Sequence, residues 1–249
     1  MLSVAVLIPA YNEAATLPGV AQQAARLYPV IVVDDGSADG TAAAVQGCHG
    51  VTLLAHSENR GKGASLCRGF SLAAKWGAEW VVTLDADGQH LPEDIPRLVA
   101  AAQATPGALI IGERRYDRSS MPPARRFANA MACFWISWAA GRYIPDTQSG
   151  FRVYPLAALL ESSLITEGSE RFAFESEVLM ELAGQQVPVV SVPIAARYPQ
   201  QARQSYYSPW TDTCAIIQAV ARRLIRRRLY LQGLYRSQKE ALLSKLEKP

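Results

Sequence analysis

A short apolar run that stops abruptly in paired acids constrains this chain more than any other stretch. Trp80-Val81-Val82-Thr83-Leu84 reads as a buried strand, and Asp85-Ala86-Asp87-Gly88-Gln89-His90 follows without a break. In extended chain, residues i and i+2 point the same way, so Asp85 and Asp87 can converge while Gly88 lets the backbone turn beneath them. Two carboxylates on one side of a strand tip suit a hard divalent cation, and such an ion could clamp a diphosphate. Asp-x-Asp-Gly is also ordinary turn punctuation, so these residues alone leave both readings open.

The pattern recurs along the chain. Val4 to Pro9 is strand-like and leads into Ala10-Tyr11-Asn12-Glu13, with a helix expected from about Ala14 to Leu27 and Asn12 placed to cap it. Val30 to Val33 is a second buried strand, ending in Asp34-Asp35-Gly36-Ser37. A short helix to about Gln46, a strand Val51 to Ala55, the loop Ser57 to Gly63 and a helix through Trp76 precede the strand at Trp80. Pro92-Glu93-Asp94 opens another helix, with proline and acids in its first turn, and strands follow at Ala108 to Gly112 and Val187 to Ala196. Strand and helix in regular alternation predict an α/β fold, a mostly parallel sheet with helices on both faces. Such sheets bind ligands off the carboxyl ends of their strands, where Tyr11, Glu13, Asp34, Asp35, Asp85 and Asp87 all fall.

With 249 residues, 49% of them hydrophobic and 19% charged, the chain can bury one large core. Its four cysteines are scattered without a Cys-x-x-Cys pair, which argues against zinc or a disulfide framework and suits a reducing, cytosolic setting. The amino terminus runs directly into strand-like sequence with no basic flank, so no signal peptide is expected. The uncharged run Phe127 to Gly141 is 15 residues long, short of the roughly 20 that an α-helix needs to cross a bilayer. Charge is uneven: residues 1–200 carry 15 Lys/Arg against 19 Asp/Glu, and residues 201–249 carry 10 against 3. The basic end points to a polyanionic surface, either lipid or nucleic acid.

Asn59-Arg60-Gly61-Lys62-Gly63 is glycine-rich but is not Gly-x-x-x-x-Gly-Lys-Ser/Thr, and no Gly-x-Gly-x-x-Gly follows the first strand, so P-loop and dinucleotide readings fail. Lys62 is a candidate anion contact or a solvated lysine at a helix start.

Five ordered blocks now carry a resemblance. Ile8-Pro9-Ala10-Tyr11-Asn12-Glu13, Val32-Val33-Asp34-Asp35-Gly36-Ser37, Asn59 to Ala64, Asp85-Ala86-Asp87-Gly88 and Asp146 to Arg152 together resemble the family 2 glycosyltransferases of the GT-A (Rossmann-like) fold, across roughly residues 3–200. Dolichyl-phosphate glucosyl- and mannosyltransferases are the nearest kind. The resemblance implies that Pro9, Tyr11, Glu13 and Asp35 hold the nucleoside, Tyr11 as a stacking face and Asp35 as an acceptor for a base N–H. It also implies that Asp85 sits at the ribose and metal, that Asp85, Asp87 and Gln89 ligate Mn²⁺ or Mg²⁺, and that Arg114 lies near the phosphates. Catalysis would be a direct, inverting displacement with the ion as the only cofactor.

On the acceptor side the family's Gly-Ser-Lys element is replaced by Arg197 to Tyr207, leaving Arg203 and Ser205 as candidate phosphate contacts. A phosphate acceptor is already ionised and needs no base, whereas a lipid or sugar hydroxyl does; Glu175 and Glu177 are the candidate bases, or simply acids at a helix start. Arg125-Arg126 with the apolar stretch Phe127 to Trp138 suits a membrane interface or a core helix. From residue 209 the tail reads as a basic amphipathic helix, with Ile216, Ile217, Val220, Leu224, Leu231 and Leu234 near helical spacing among Arg222, Arg223, Arg226, Arg227, Arg228 and Arg236. Anionic lipid is the expected partner; a partner subunit is the alternative, and no recognisable nucleic-acid module accompanies the arginines. The expectation is therefore a transferase domain over residues 1–208 and a tail over 209–249, moving sugar from a nucleoside diphosphate to a lipid-linked acceptor at the cytoplasmic membrane face. A non-catalytic nucleotide-sugar-binding module is the different-class alternative.

Overall fold

The structure is a computed structural model that describes residues 3–114, 123–162, 164–167, 173–195 and 211–246. Strand β1 (Val4–Ala10) leads to helix α1 (Leu17–Ala25), followed by β2 (Val30–Asp34), α2 (Thr41–Val45), β3 (Val51–Ala55), α3 (Lys62–Lys75) and β4 (Trp80–Thr83). A 3₁₀ turn at Pro92–Asp94 enters α4 (Ile95–Ala104), and then come β5 (Leu109–Arg114), α5 (Pro123–Ala140), β6 (Arg152–Pro155), α6 (Leu156–Glu161), α7 (Leu164–Glu167), α8 (Ala173–Gly184) and β7 (Val189–Ile194). Two helices close the chain, α9 (Thr211–Arg226) and α10 (Leu231–Leu246).

The seven strands form one sheet in the order β3-β2-β1-β4-β6-β5-β7. β1 to β4 pair in parallel, as do β5 and β7, while β6 runs antiparallel to both neighbours. β1 sends its chain to β2 on one side and has β4 on the other, so the strand order reverses there, and it is at the carboxyl ends of such a reversal that open α/β sheets hold their ligands. The central strands are Val- and Ile-rich and buried on both faces: Ala5 and Leu7 join one core with Phe70, Val178 and Leu182, and Val4, Val6 and Ile8 join the other with Leu17, Ile95 and Leu98.

Three local expectations change. Asn12 does not cap α1, which begins at Leu17 with Thr16 at the cap position and Pro18 in its first turn. Asn12 instead adopts φ 54°, a left-handed conformation that its short amide tolerates, and its Oδ1 accepts from Ala38 N at 2.9 Å. β6 is a strand that periodicity does not announce, because it is four residues long, buried on both faces and opens with an arginine. The tail is two helices, not one, broken at Arg228, Leu229 and Tyr230, which all have positive φ.

Three of the tail's six predicted apolar positions are committed to protein. Val220 and Leu224 are buried in the core beneath α5 and α8, with Ile216 packed against them. Arg223 Nη1 pairs with Glu181 Oε2 at 2.7 Å, Trp138 Nε1 donates to Leu229 O at 3.0 Å, and Tyr143 N donates to Glu240 Oε2 at 2.8 Å. The Phe127 to Trp138 stretch splits likewise along α5, where Ile136, Ala139 and Ala140 are buried and Phe127 is 69% exposed. Leu224→Ala should therefore behave as a core truncation and cost about 2–5 kcal/mol of stability, read as a lowered urea midpoint; a surface-helix residue would leave the midpoint unchanged.

Candidate active site

The apolar run of β4 ends where Thr83 Oγ1 donates to Gly150 O at 2.8 Å and Leu84 N to Leu7 O at 3.1 Å, which fixes the strand tip against its neighbours. Beyond it the backbone turns at Gly88 (φ 73°), and Gln89 N donates to Asp87 Oδ1 at 2.9 Å. Asp85 has room only because residue 150 is glycine: a Cβ there would lie 2.5 Å from Asp85 Oδ2. Lys62, the first residue of α3, reaches across so that its Nζ lies 2.7 Å from Asp85 Oδ1 and 2.8 Å from Glu175 Oε2.

These neighbours set the charges. Burial works against an ionised Asp85, yet the Lys62 ammonium and His90 hold its carboxyl at about 2. Asp87 is pushed up to about 6, first by burial and then by the negative charge of Asp85. For Lys62, burial would lower the pKa, but the carboxylates of Asp85 and Glu175 outweigh it and raise it. His90 is buried, its pKa lowered chiefly by that burial; its Nε2 lies 3.9 Å from Asp85 Oδ2, its ring packs on Phe151, and its Nδ1 has no partner.

The tips of β1 and β2 form the neighbouring wall. Asp35 is buried, with His56 Nδ1 at 2.8 Å from its Oδ1, Arg60 N donating to Oδ1 at 3.0 Å and Gly61 N donating to Oδ2 at 2.8 Å. It thereby fastens the glycine-rich loop to the sheet, and about one of its four acceptor positions is left for a ligand. Asp34 caps its own turn through Ser37. Pro9, Tyr11 and Glu13 lie half-buried along the same edge, where Glu13 N donates to Thr41 Oγ1 at 2.8 Å and its carboxylate accepts from Thr16 Oγ1 at 2.9 Å.

β6 supplies the third wall. Arg114 makes a two-pronged pair with Asp146, Nε to Oδ2 at 2.8 Å and Nη2 to Oδ1 at 2.7 Å. Arg152, only 1% exposed, donates to Thr147 O, Tyr154 Oη and Glu175 O, tying the 146–150 turn to the start of α8. Glu175 thus joins the cluster, whereas Glu177 sits about 200° farther round the helix and has no part in the Lys62 pairing. Arg203 and Ser205 lie outside the described residues. Sequence reasoning assigned no role to His56, Asp146 or Arg152; the last two lie within a quoted motif, which was the available signal.

Among the described residues no three His, Cys, Asp or Glu side chains converge into a complete metal shell. Asp85 and Asp87 nevertheless fit Mg²⁺ or Mn²⁺, which need only one or two carboxylates and take their remaining ligands from water and substrate phosphate.

Residues 5–162 match the model of "Glycosyl transferase family 2". The chain is 28% identical over 218 residues to a UDP-N-acetylglucosamine–dolichyl-phosphate N-acetylglucosaminyltransferase of Methanococcus voltae, covering 78% of this chain and 86% of that one. It is 31% identical over 214 residues to an undecaprenyl-phosphate mannosyltransferase of Micrococcus luteus, covering 78% and 83%. In structure it is similar to a glucosyl-3-phosphoglycerate synthase of Mycobacterium tuberculosis solved with Mn²⁺, UDP-glucose and phosphoglyceric acid, with a TM-score of 0.69, 20% identity, and coverage of 89% of this chain and 79% of that one.

The Asp87 carboxyl gives a signed pH effect. Its folded pKa of about 6 lies above the ordinary carboxyl value of 3.8, so between those pH values the folded protein holds the extra proton and stability falls as pH rises. Asp87→Asn should remove that loss, making the metal-free protein more stable than wild type at pH 7 but not at pH 4, by urea denaturation. Asp87→Ala should fold and lose transfer; wild-type turnover in Mn²⁺ would remove Asp87 from catalysis.

Proposed function

Because the chain belongs to glycosyl transferase family 2, we propose that it moves a sugar from a nucleoside-diphosphate donor to a polyprenyl phosphate, with inversion, at the cytoplasmic face of a membrane. The observation that carries this reading is the pairing of Lys62 with Asp85, two residues before Asp87, beyond the carboxyl end of β4 where the strand order reverses. Tyr11, Glu13 and Asp35, with Pro9, would hold the nucleoside along the β1 and β2 tips. Asp85, Asp87 and Gln89 would hold Mn²⁺ or Mg²⁺, which when bound offsets charge on the departing diphosphate. The structural neighbour named with Mn²⁺ and UDP-glucose supports a metal-assisted nucleotide-sugar donor.

The acceptor assignment draws on the relatives, which are named for dolichyl and undecaprenyl phosphates. A phosphate oxygen needs no base, and Glu175, whose Oε2 is engaged by Lys62, is poorly placed to act as one. Arg203 and Ser205 are proposed to receive the acceptor phosphate, in place of the family's Gly-Ser-Lys element. The chain is read as a transferase body over 1–208 with a membrane-docking tail over 209–249.

For the tail, support comes from faces that point away from the body. Leu231, Tyr235, Leu242 and Leu246 fall within about 60° of one another on α10, and all are more than 60% exposed. Ile217 and Ile225 are exposed on α9, and Arg222, Arg226, Arg228 and Arg236 are exposed beside these residues. An apolar stripe with a basic border suits an anionic leaflet, each arginine adding about 1 kcal/mol. No helix among the described residues is long and apolar enough to cross a membrane.

Two measurements test the reading. With a panel of labelled UDP- and GDP-sugars and Mn²⁺, purified protein should glycosylate undecaprenyl or dolichyl phosphate but not the matching polyprenol; transfer to the alcohol alone would overturn the acceptor. The full chain should co-sediment with vesicles containing phosphatidylglycerol, less so in high salt, and not with phosphatidylcholine alone. Equal sedimentation with both vesicle types would remove the electrostatic part of the docking.

A further inference from the structure

Lys62 presents a conflict that the site must resolve. Its ammonium sits on Asp85 Oδ1, and a divalent cation held by the same carboxylate would repel it strongly at that distance. A divalent ion at Asp85 and Asp87 would push Lys62 away, yet its side chain is only 20% exposed and an unpaired ammonium there is costly. Glu175 answers both needs. Its Oε2 already lies 2.8 Å from the same nitrogen, so Lys62 can leave Asp85 without losing its carboxylate partner.

The position of Glu175 is built rather than incidental. It stands in the first turn of α8, where a carboxylate faces the positive end of the helix dipole, and Arg152 Nη1 donates to its backbone oxygen at 3.0 Å. Arg152 is itself buried and fixed by Thr147 O and Tyr154 Oη, so the start of α8 is pinned to the turn that makes room for Asp85. Lys62 is thus shared between two carboxylates, Asp85 and Glu175, and Asp87 follows two residues after the first of them.

We propose that Glu175 is a positioning residue that takes over the Lys62 ammonium when a divalent cation takes Asp85, keeping Lys62 beside the donor diphosphate. The inference rests on the metal–diphosphate reading of Asp85 and Asp87 given above. It assigns Glu175 a role other than that of a base.

The test is a double-mutant cycle on the full chain with Glu175→Gln, Lys62→Met and both together. Bound Mn²⁺ is read from the loss of its free paramagnetic resonance signal at fixed UDP, with thermal melts confirming folding. Glu175→Gln should weaken Mn²⁺ binding about tenfold, the low end of what partners of metal ligands contribute. Lys62→Met should bind Mn²⁺ no more weakly than wild type, because the competitor is gone, while its affinity for UDP at saturating Mn²⁺ falls. In the Lys62→Met background, Glu175→Gln should change Mn²⁺ affinity by less than about two-fold, the limit expected of uncoupled sites. An equal loss in both backgrounds would mean that Glu175 acts without Lys62 and would overturn the proposal. So would unchanged Mn²⁺ and UDP binding in Glu175→Gln with only turnover and its pH profile altered, the result expected of a base. If wild type itself bound neither Mn²⁺ nor UDP, the metal–diphosphate reading would fall, and this inference with it.

Discussion

An ionised carboxylate at the end of a buried strand has to be compensated, and the residues around Asp85 are arranged by that need. Lys62 supplies the charge, Gly150 the space, and His90 a buried ring whose Nε2 lies 3.9 Å away. Asp87, two residues on, receives no such partner and pays for it with a carboxyl held near 6. Under the proposed metal reading, it is this contrast between neighbouring acids that a bound cation would exploit. One acid is stabilised by protein, and the other waits for a positive charge that the described residues do not provide.

Topology brings these groups together from distant parts of the chain. β1 and β4 are parallel neighbours at the reversal of strand order, so whatever follows each of them is delivered to one crevice. β6 adds the third contribution through its direction. Being antiparallel to β4, it starts where β4 ends, with Thr83 opposite Arg152, and residues 146–150 therefore arrive at the acids' end of the sheet. Had β6 been parallel, Asp146 and Gly150 would lie at the opposite edge, and neither the Arg114 pair nor the space for Asp85 would exist.

The sheet was legible because its strands are apolar runs punctuated by acids and glycines, and the parallel β1-β2-β3-β4 half follows from alternation with helices. The gathering of Asp85, Asp87, Asp35 and Tyr11 at one edge was legible for the same reason. β6 was not, because a four-residue strand buried on both faces has no alternation to detect. Nor were the pairings: that Lys62 would choose Asp85 and Glu175, or that Asp35 would be consumed largely by His56 and loop amides, depends on distances across more than 20 residues of sequence. Arg152 is the sharpest case. An arginine invites a surface reading, yet this one is 1% exposed and donates to Tyr154 Oη, to Thr147 O and to Glu175 O, the last of them 23 residues away.

The tail shows a limit of a different kind. Helical spacing of apolar residues establishes that one face avoids water, but water is avoided equally by packing on protein and by lying in lipid. Val220 and Leu224 meet the requirement within the core, and Arg223, which reads as one member of a basic cluster, is paired with Glu181. What then distinguishes α10 is a second apolar stripe, Leu231, Tyr235, Leu242 and Leu246, on a helix whose other side already packs on α5. A helix needs one such face to fold onto its domain, and the second is the face that the proposed membrane docking would use. In that proposal the exposed arginines around the break at residues 228–230 would meet the anionic surface, while Arg223 serves folding through its pair with Glu181.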